Sequence, residues 1–123
     1  AKRKKMIEKM DAVLADINVT VLNHYGKNHA SSGHLYIVRL LGKTREQTNG
    51  VIEKMAERGI ATNVHYKPLP MMTAYKKMGF DIKDFPNAYH MFENEITLPL
   101  NTKMTMEDVD YVMENFVDIV KSL

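Results

Sequence analysis

The 123-residue sequence contains no cysteine, which excludes disulfide staples, thiolate nucleophiles and cysteine metal ligands. It has no apolar run near the ~18 residues that a membrane-spanning helix needs, and its basic start lacks the apolar core of a secretory leader. An excess of charge of one sign is nearly missing, with a net charge of +2. The 17 Lys and Arg face 15 Asp and Glu, a balance too even for the electrostatic footprint of a nucleic-acid binder. The one basic cluster, Lys2-Arg3-Lys4-Lys5, opens a helical pattern and reads as a solvated helix face. No GxxxxGKS/T, GxGxxG or GxSxG string occurs, so the common nucleotide-fold and hydrolase signatures are absent. A reducing cytoplasm fits the lack of thiols.

What remains is ordinary globular material, 45% apolar and 26% charged. The length suits one domain over 1–123, a leading helix within 1–17 and an α/β core over 18–123. Ala1 is not Met, and the chain begins directly in helix-forming sequence. That reads as a piece of a longer polypeptide.

Apolar residues at helical spacing (Met6, Met10, Val13, Leu14, Ile17, with Ile7 beside them) predict a helix over 2–16. "NVTVLN" (18–23) is β-prone, the polar "HYGKNHASSG" (24–33) reads as a loop or hairpin-like excursion, and "HLYIVRL" (34–40) as a strand, possibly central. Thr44 and Gln47 form a capping box for a helix that buries Val51, Ile52, Met55 and Ala56. Gly59 ends it, because glycine adopts the left-handed conformation past a helix end without a Cβ clash. "IATNVHY" (60–66) reads as the next strand.

Residues 67–84 are irregular, since Pro68 and Pro70 forbid a normal central strand, but 71–79 suits a short helix ending at Gly79. Pro86 starts another helix, running to about Asn94. "ITLPL" (96–100) is a strand stopped by Pro99. Thr105 caps a last helix whose stripe runs Val109, Val112, Met113, Phe116, Ile119, Val120, Leu123. The class is therefore α/β or α+β, with a small, mostly antiparallel sheet and helices packed on one face.

Little of this looks chemical. His24, His29 and His34 are five apart, which matches neither the helical pair nor the usual zinc spacings, and the ten Met residues suit core packing better than metal binding. The acidic residues fall mainly on helix surfaces, with no evident acid/base couple.

The exception is "TNVHYKPLPMM" (62–72), which sets an imidazole, a phenol and an ammonium (His65, Tyr66, Lys67) before two prolines. Proline fixes its own φ and holds the preceding residue extended. The result is a stiff rim able to sit over an anionic or hydroxyl-rich ligand. The plainer reading is a buried His65 bonded to backbone, with Tyr66 as packing.

The same stretch carries a family likeness. Gly59-Ile60, Thr62, His65-Tyr66 and Pro68 are followed by Tyr75 and Gly79. Then come Phe85-Pro86-Asn87-Ala88, Leu98-Pro99-Leu100 and the run from Met104-Thr105 to Val112. In this order and spacing, residues 34–123 resemble the C-terminal part of the DegT-type sugar aminotransferases. These are pyridoxal-phosphate enzymes that aminate nucleotide-linked keto sugars. One departure is Pro70, where the family often has histidine.

The resemblance implies the C-terminal lobe of such an enzyme, with His65 and Tyr66, and more weakly Lys67, near the sugar-nucleotide pocket. It implies an amino donor, commonly glutamate, and a homodimeric parent. The cofactor lysine and the aspartate facing the pyridine nitrogen lie in the family's large domain, and no lysine here sits in that context. The chain alone is thus expected neither to hold pyridoxal phosphate tightly nor to transaminate. A sugar dehydratase of the same family, or a free-standing α/β ligand- or protein-binding module with a structural His65, are the alternatives.

Overall fold

A computed structural model describes residues 1–123. Helix α1 (Lys2–Leu14) buries Met6, Ile7, Met10 and Leu14. Val13, expected among them, sits at the edge of that stripe and is exposed. Strand β1 (Val19–Val21) follows, and the polar excursion closes into a small ribbon of β2 (Tyr25–Gly26) and β3 (His29–Ala30). Strand β4 (Tyr36–Leu40) lies at the centre of a three-stranded antiparallel sheet, between β1 and β5 (Glu95–Leu98). Val19 opposes Leu40 on one side, and Tyr36 opposes Leu98 on the other.

Between β4 and β5 run α2 (Arg45–Glu57), the short α3 (Thr73–Lys77) and α4 (Pro86–Phe92). The Thr44–Gln47 capping box forms as expected. Gly59, at φ +75°, turns the chain out of α2. The peptide N–H groups of Gly59 and Ile60 then return to the Ala56 and Met55 carbonyls at 2.9 and 3.0 Å, a Schellman closure that tucks Ile60 into the core beside Met55. Ala56, predicted buried, points away from that stripe and is exposed. Helix α5 (Met106–Lys121) starts at a second capping box, Thr105 with Asp108. Its Val109, Val112, Met113, Phe116 and Ile119 are buried, while Leu123 lies beyond the helix and is exposed.

Period-two alternation sorts the sheet. Tyr36, Val38, Leu40, Ile96 and Leu98 face a core of 18 buried apolar side chains shared with α1, α2 and α5. Ile37, Arg39, Glu95 and Thr97 therefore point the other way. The fold is α+β, with three long helices on one sheet face.

One expected strand is missing. Residues 60–66 make a single bridge, Asn63 to Thr97, through a reciprocal pair of main-chain bonds at 3.1 and 2.8 Å. In that register His65 and Glu95 would be the next bonded pair. Instead the His65 N–H donates to the Glu95 carboxylate, and the Glu95 main-chain oxygen accepts from Arg45. Side chains have taken the groups that would extend the ladder, so the chain bends away. The 67–84 region contains 3-10 turns at Leu69–Met71 and Ile82–Asp84 around α3, and Pro70 sits within the first.

Candidate functional site

The sheet face turned away from the core forms the floor of a cleft of about 340 Å³. Thr20, Ile37, Arg39 and Glu95 supply the floor, Ala88, Met91 and Phe92 of α4 one wall, and His65 and Tyr66 lie on its lining. A second hollow of about 330 Å³, edged by Asn63, Thr97 and Pro99, also includes His65. The imidazole thus stands between two concave surfaces.

Two polar side chains hold it there. Glu95 and Thr97 are only 3% and 6% exposed, so their polar atoms need partners inside the protein. The Thr97 hydroxyl donates to Glu95 Oε1 at 2.7 Å, and His65 Nδ1 lies 2.8 Å from Thr97 Oγ1. The His65 main-chain N–H donates to Glu95 Oε2 at 3.0 Å. One carboxylate therefore fixes both the backbone and, through Thr97, the ring of His65. Burial pushes the Glu95 carboxyl above the usual range. The bonds from Thr97 and His65, and the charges of His65 and Arg45, act in the opposite sense.

His65 packs edge-on to Tyr66, with ring centroids 4.7 Å apart, across a peptide bond that is cis. Tyr66 is 74% exposed and presents its phenol to solvent at the cleft edge. Lys67 is exposed and lines neither hollow. The structure thus brings His65 and Tyr66 together and leaves Lys67 outside.

Two arginines brace the α4 wall. Arg39 donates from Nη2 to the His90 carbonyl at 2.9 Å and from Nε to Asn94 Oδ1 at 3.0 Å. Arg45 donates to the carbonyls of Phe92 and Glu95 at 2.7 and 3.1 Å. Both neutralise carbonyls at the C-terminal end of α4, where cations are favoured. Burial pulls Arg45 below its usual pKa, against the opposing charge of Glu95.

Four of these residues, Arg39, Arg45, Glu95 and Thr97, escaped sequence reasoning. Unlike the acidic residues that fall mainly on helix surfaces, Glu95 lies in β5. The available signal was its place at the head of "EITL", where period two puts Glu95 and Thr97 on one face and Ile96 and Leu98 on the other.

With this geometry in hand, comparison places the fold among aminotransferase structures. The chain superposes on a Streptococcus pneumoniae protein, Spr1654, assigned as a sugar aminotransferase and solved in apo, PMP and PLP forms. The TM-score is 0.95 at 46% identity, covering 98% of this chain and 30 to 31% of that one. PseC of Helicobacter pylori, an aminotransferase involved in pseudaminic acid biosynthesis by its description, superposes at 0.83 with 26% identity, covering 99% of this chain and 33% of its own. Residues 1–117 match the DegT/DnrJ/EryC1/StrS aminotransferase family, and the chain belongs to that family. The spore coat polysaccharide biosynthesis protein SpsC of Bacillus subtilis is 34% identical over 84% of this chain and 27% of its own length. A UDP-4-amino-4,6-dideoxy-N-acetyl-beta-L-altrosamine transaminase of Campylobacter jejuni is 30% identical over 76% of this chain and 24% of its own. The chain spans about a quarter to a third of the length of these relatives.

The residues present do not fit pyridoxal phosphate. No lysine lines either hollow beside His65. The cleft floor also carries the buried carboxylate of Glu95, which would repel a cofactor phosphate. No helix of the chain is long and apolar enough to cross a membrane.

Proposed function

We propose that this chain is the substrate-side, C-terminal lobe of a pyridoxal-phosphate-dependent enzyme that moves an amino group onto a keto-sugar nucleotide. The amino donor is glutamate, the parent is a cytoplasmic homodimer, and the lobe alone is inactive. The observation that carries this reading is a cleft whose lining includes a half-buried imidazole anchored at two points, in a chain of the aminotransferase family. His65 and Tyr66 are the residues offered to the sugar nucleotide. They present a ring nitrogen and a phenol, groups suited to hydroxyl-rich ligands. Lys67 contributes at most a nearby positive charge.

The test uses the longer polypeptide that carries this chain. His65→Ala should raise KM for the sugar nucleotide several-fold with the fold intact. Unchanged kinetics together with a large loss of stability would show that His65 is a packing residue. A natural polypeptide with no cofactor-bearing partner segment would remove the proposal altogether.

A further inference from the structure

Thr97 Oγ1 lies between two acceptor-capable partners, Glu95 Oε1 at 2.7 Å and His65 Nδ1 at 2.8 Å. A hydroxyl has one proton to give and lone pairs to accept with. An ionised carboxylate can only accept, so with Glu95 ionised the Thr97 proton is given to Glu95. Were the hydroxyl turned toward His65 instead, two oxygens with no proton between them would face each other inside the protein. The remaining consistent arrangement runs in one direction, with His65 Nδ1–H donating to Thr97 and Thr97 O–H donating to Glu95.

The other ring nitrogen follows. His65 Nε2 has no protein partner, and it is not among the buried unpartnered atoms, so it meets solvent. In the neutral ring with Nδ1 protonated, Nε2 carries the lone pair.

We propose that Thr97 and Glu95 are positioning residues that lock His65 in its Nδ1–H tautomer. In that state it offers Nε2 as a hydrogen-bond acceptor to a hydroxyl or N–H of the ligand. The inference rests on the reading of the cleft as a sugar-nucleotide site, and it narrows that reading. His65 recognises a donor group of the sugar or base, since a neutral Nε2 lone pair facing a phosphate oxygen would be repulsive. Thr97 and Glu95 touch no ligand themselves. Their sequence spacing, two apart on a strand, is what lets one carboxylate grip both the backbone and the ring of His65.

The experiment is a long-range nitrogen–proton correlation spectrum of the histidine-labelled full chain at neutral pH, with His65→Gln used to assign the signals. The wild type should show a pyrrole-type Nδ1 and a pyridine-type Nε2 at His65, the reverse of the tautomer that a free histidine side chain prefers. Thr97→Val keeps the shape and removes the acceptor. It should move the tautomer ratio back by about tenfold, the worth of one ordinary net hydrogen bond. Thr97→Ser should restore the locked form. The signals of His24, which is buried and bonded to Ser31, report in each variant that the fold persists. An Nε2–H tautomer in the wild type, or an unchanged ratio in a folded Thr97→Val, would overturn the proposal. Sugar-nucleotide binding by His65→Gln, measured separately in the longer enzyme, tests the underlying reading of the cleft. A failure there leaves the spectrum as it was, so the two failures are distinguishable.

Discussion

Arg45, at the start of α2, donates from Nη1 to the Phe92 main-chain oxygen at 2.7 Å and holds its guanidinium 4.8 Å from the centre of the Phe92 ring. The pair ties the helical layer to the α4 wall of the cleft across 47 residues of sequence. Charged hydrogen bonds of this kind contribute about 1.5–3 kcal/mol each, and Arg45 is only partly exposed. Arg45→Ala should therefore cost about 2–3 kcal/mol in urea denaturation. Arg45→Lys should recover less than half, because an ammonium cannot span the Phe92 and Glu95 carbonyls while lying flat on the ring. Equal stability of the Lys variant and the wild type would refute this account of the fork.

Tyr36 is fully buried at the centre of the sheet, and its hydroxyl donates to Asp11 Oδ1 at 2.6 Å. Burial, the bond to Asp11 and the Asp11 charge all hold the phenol far above its usual pKa. Removing the hydroxyl in Tyr36→Phe should cost about 1–2 kcal/mol, since Asp11 is accessible enough to regain water. The sign of the pH effect is fixed. A group whose folded pKa is raised contributes fully below its unfolded value, about 10 for tyrosine, and loses that contribution as pH rises beyond it. The gap between wild type and Tyr36→Phe should stay constant from about pH 6 to 9 and shrink above about pH 10. A gap that widens there would contradict the assignment.

Glu95 behaves in the same direction at lower pH. Its folded pKa is raised, chiefly by burial, so between the unfolded value near 4.3 and the raised folded value the native state binds more protons. Native stability then falls as pH rises through that window. Glu95→Gln has no such titration. Relative to the variant, wild type should lose stability as pH climbs from about 4 toward neutrality, as read from urea midpoints at a series of pH values. A difference independent of pH would show that the donors from Thr97 and His65 cancel the burial.

These residues also mark what the sequence could and could not reveal. The helices were legible because each carries its own punctuation: Thr44 with Gln47, Thr105 with its first-turn acids, Gly59 after α2. Strand β4 was legible because "YIVRL" opens on an aromatic and two β-branched residues. Residues 60–66 share that local character yet form one bridge, because the next pairing depends on Glu95, 30 residues from His65, which uses its side chain in place of its backbone. His65 and Tyr66 stood out as types, whereas period two gives only the shared face of Glu95 and Thr97, and their grip on His65 exists only where the two segments meet. Within the irregular 67–84 region Leu69, Met78 and Phe80 are exposed apolar residues, so no burial stripe marks its short helices in the sequence.

Gly33 and Gly59 offer a controlled comparison of backbone strain and packing. Both sit at positive φ, +67° and +75°, where a side chain costs about 1–2 kcal/mol. A Cβ at Gly59 would meet open space. A Cβ at Gly33 would lie 3.2 Å from Ile7 Cδ1 and 3.4 Å from Arg3 Cβ, on the α1 face that Arg3 anchors by donating to the Gly33 carbonyl at 2.8 Å. Alanine also stiffens the unfolded chain, which offsets part of the cost equally at both sites. Gly59→Ala should thus lose about 1 kcal/mol, and Gly33→Ala about 2–3 kcal/mol, because Ile7 is fully buried and has little room to yield. Thermal or urea unfolding of the two variants side by side measures the difference directly. Equal losses would show that Ile7 and Arg3 yield to the added methyl at no cost.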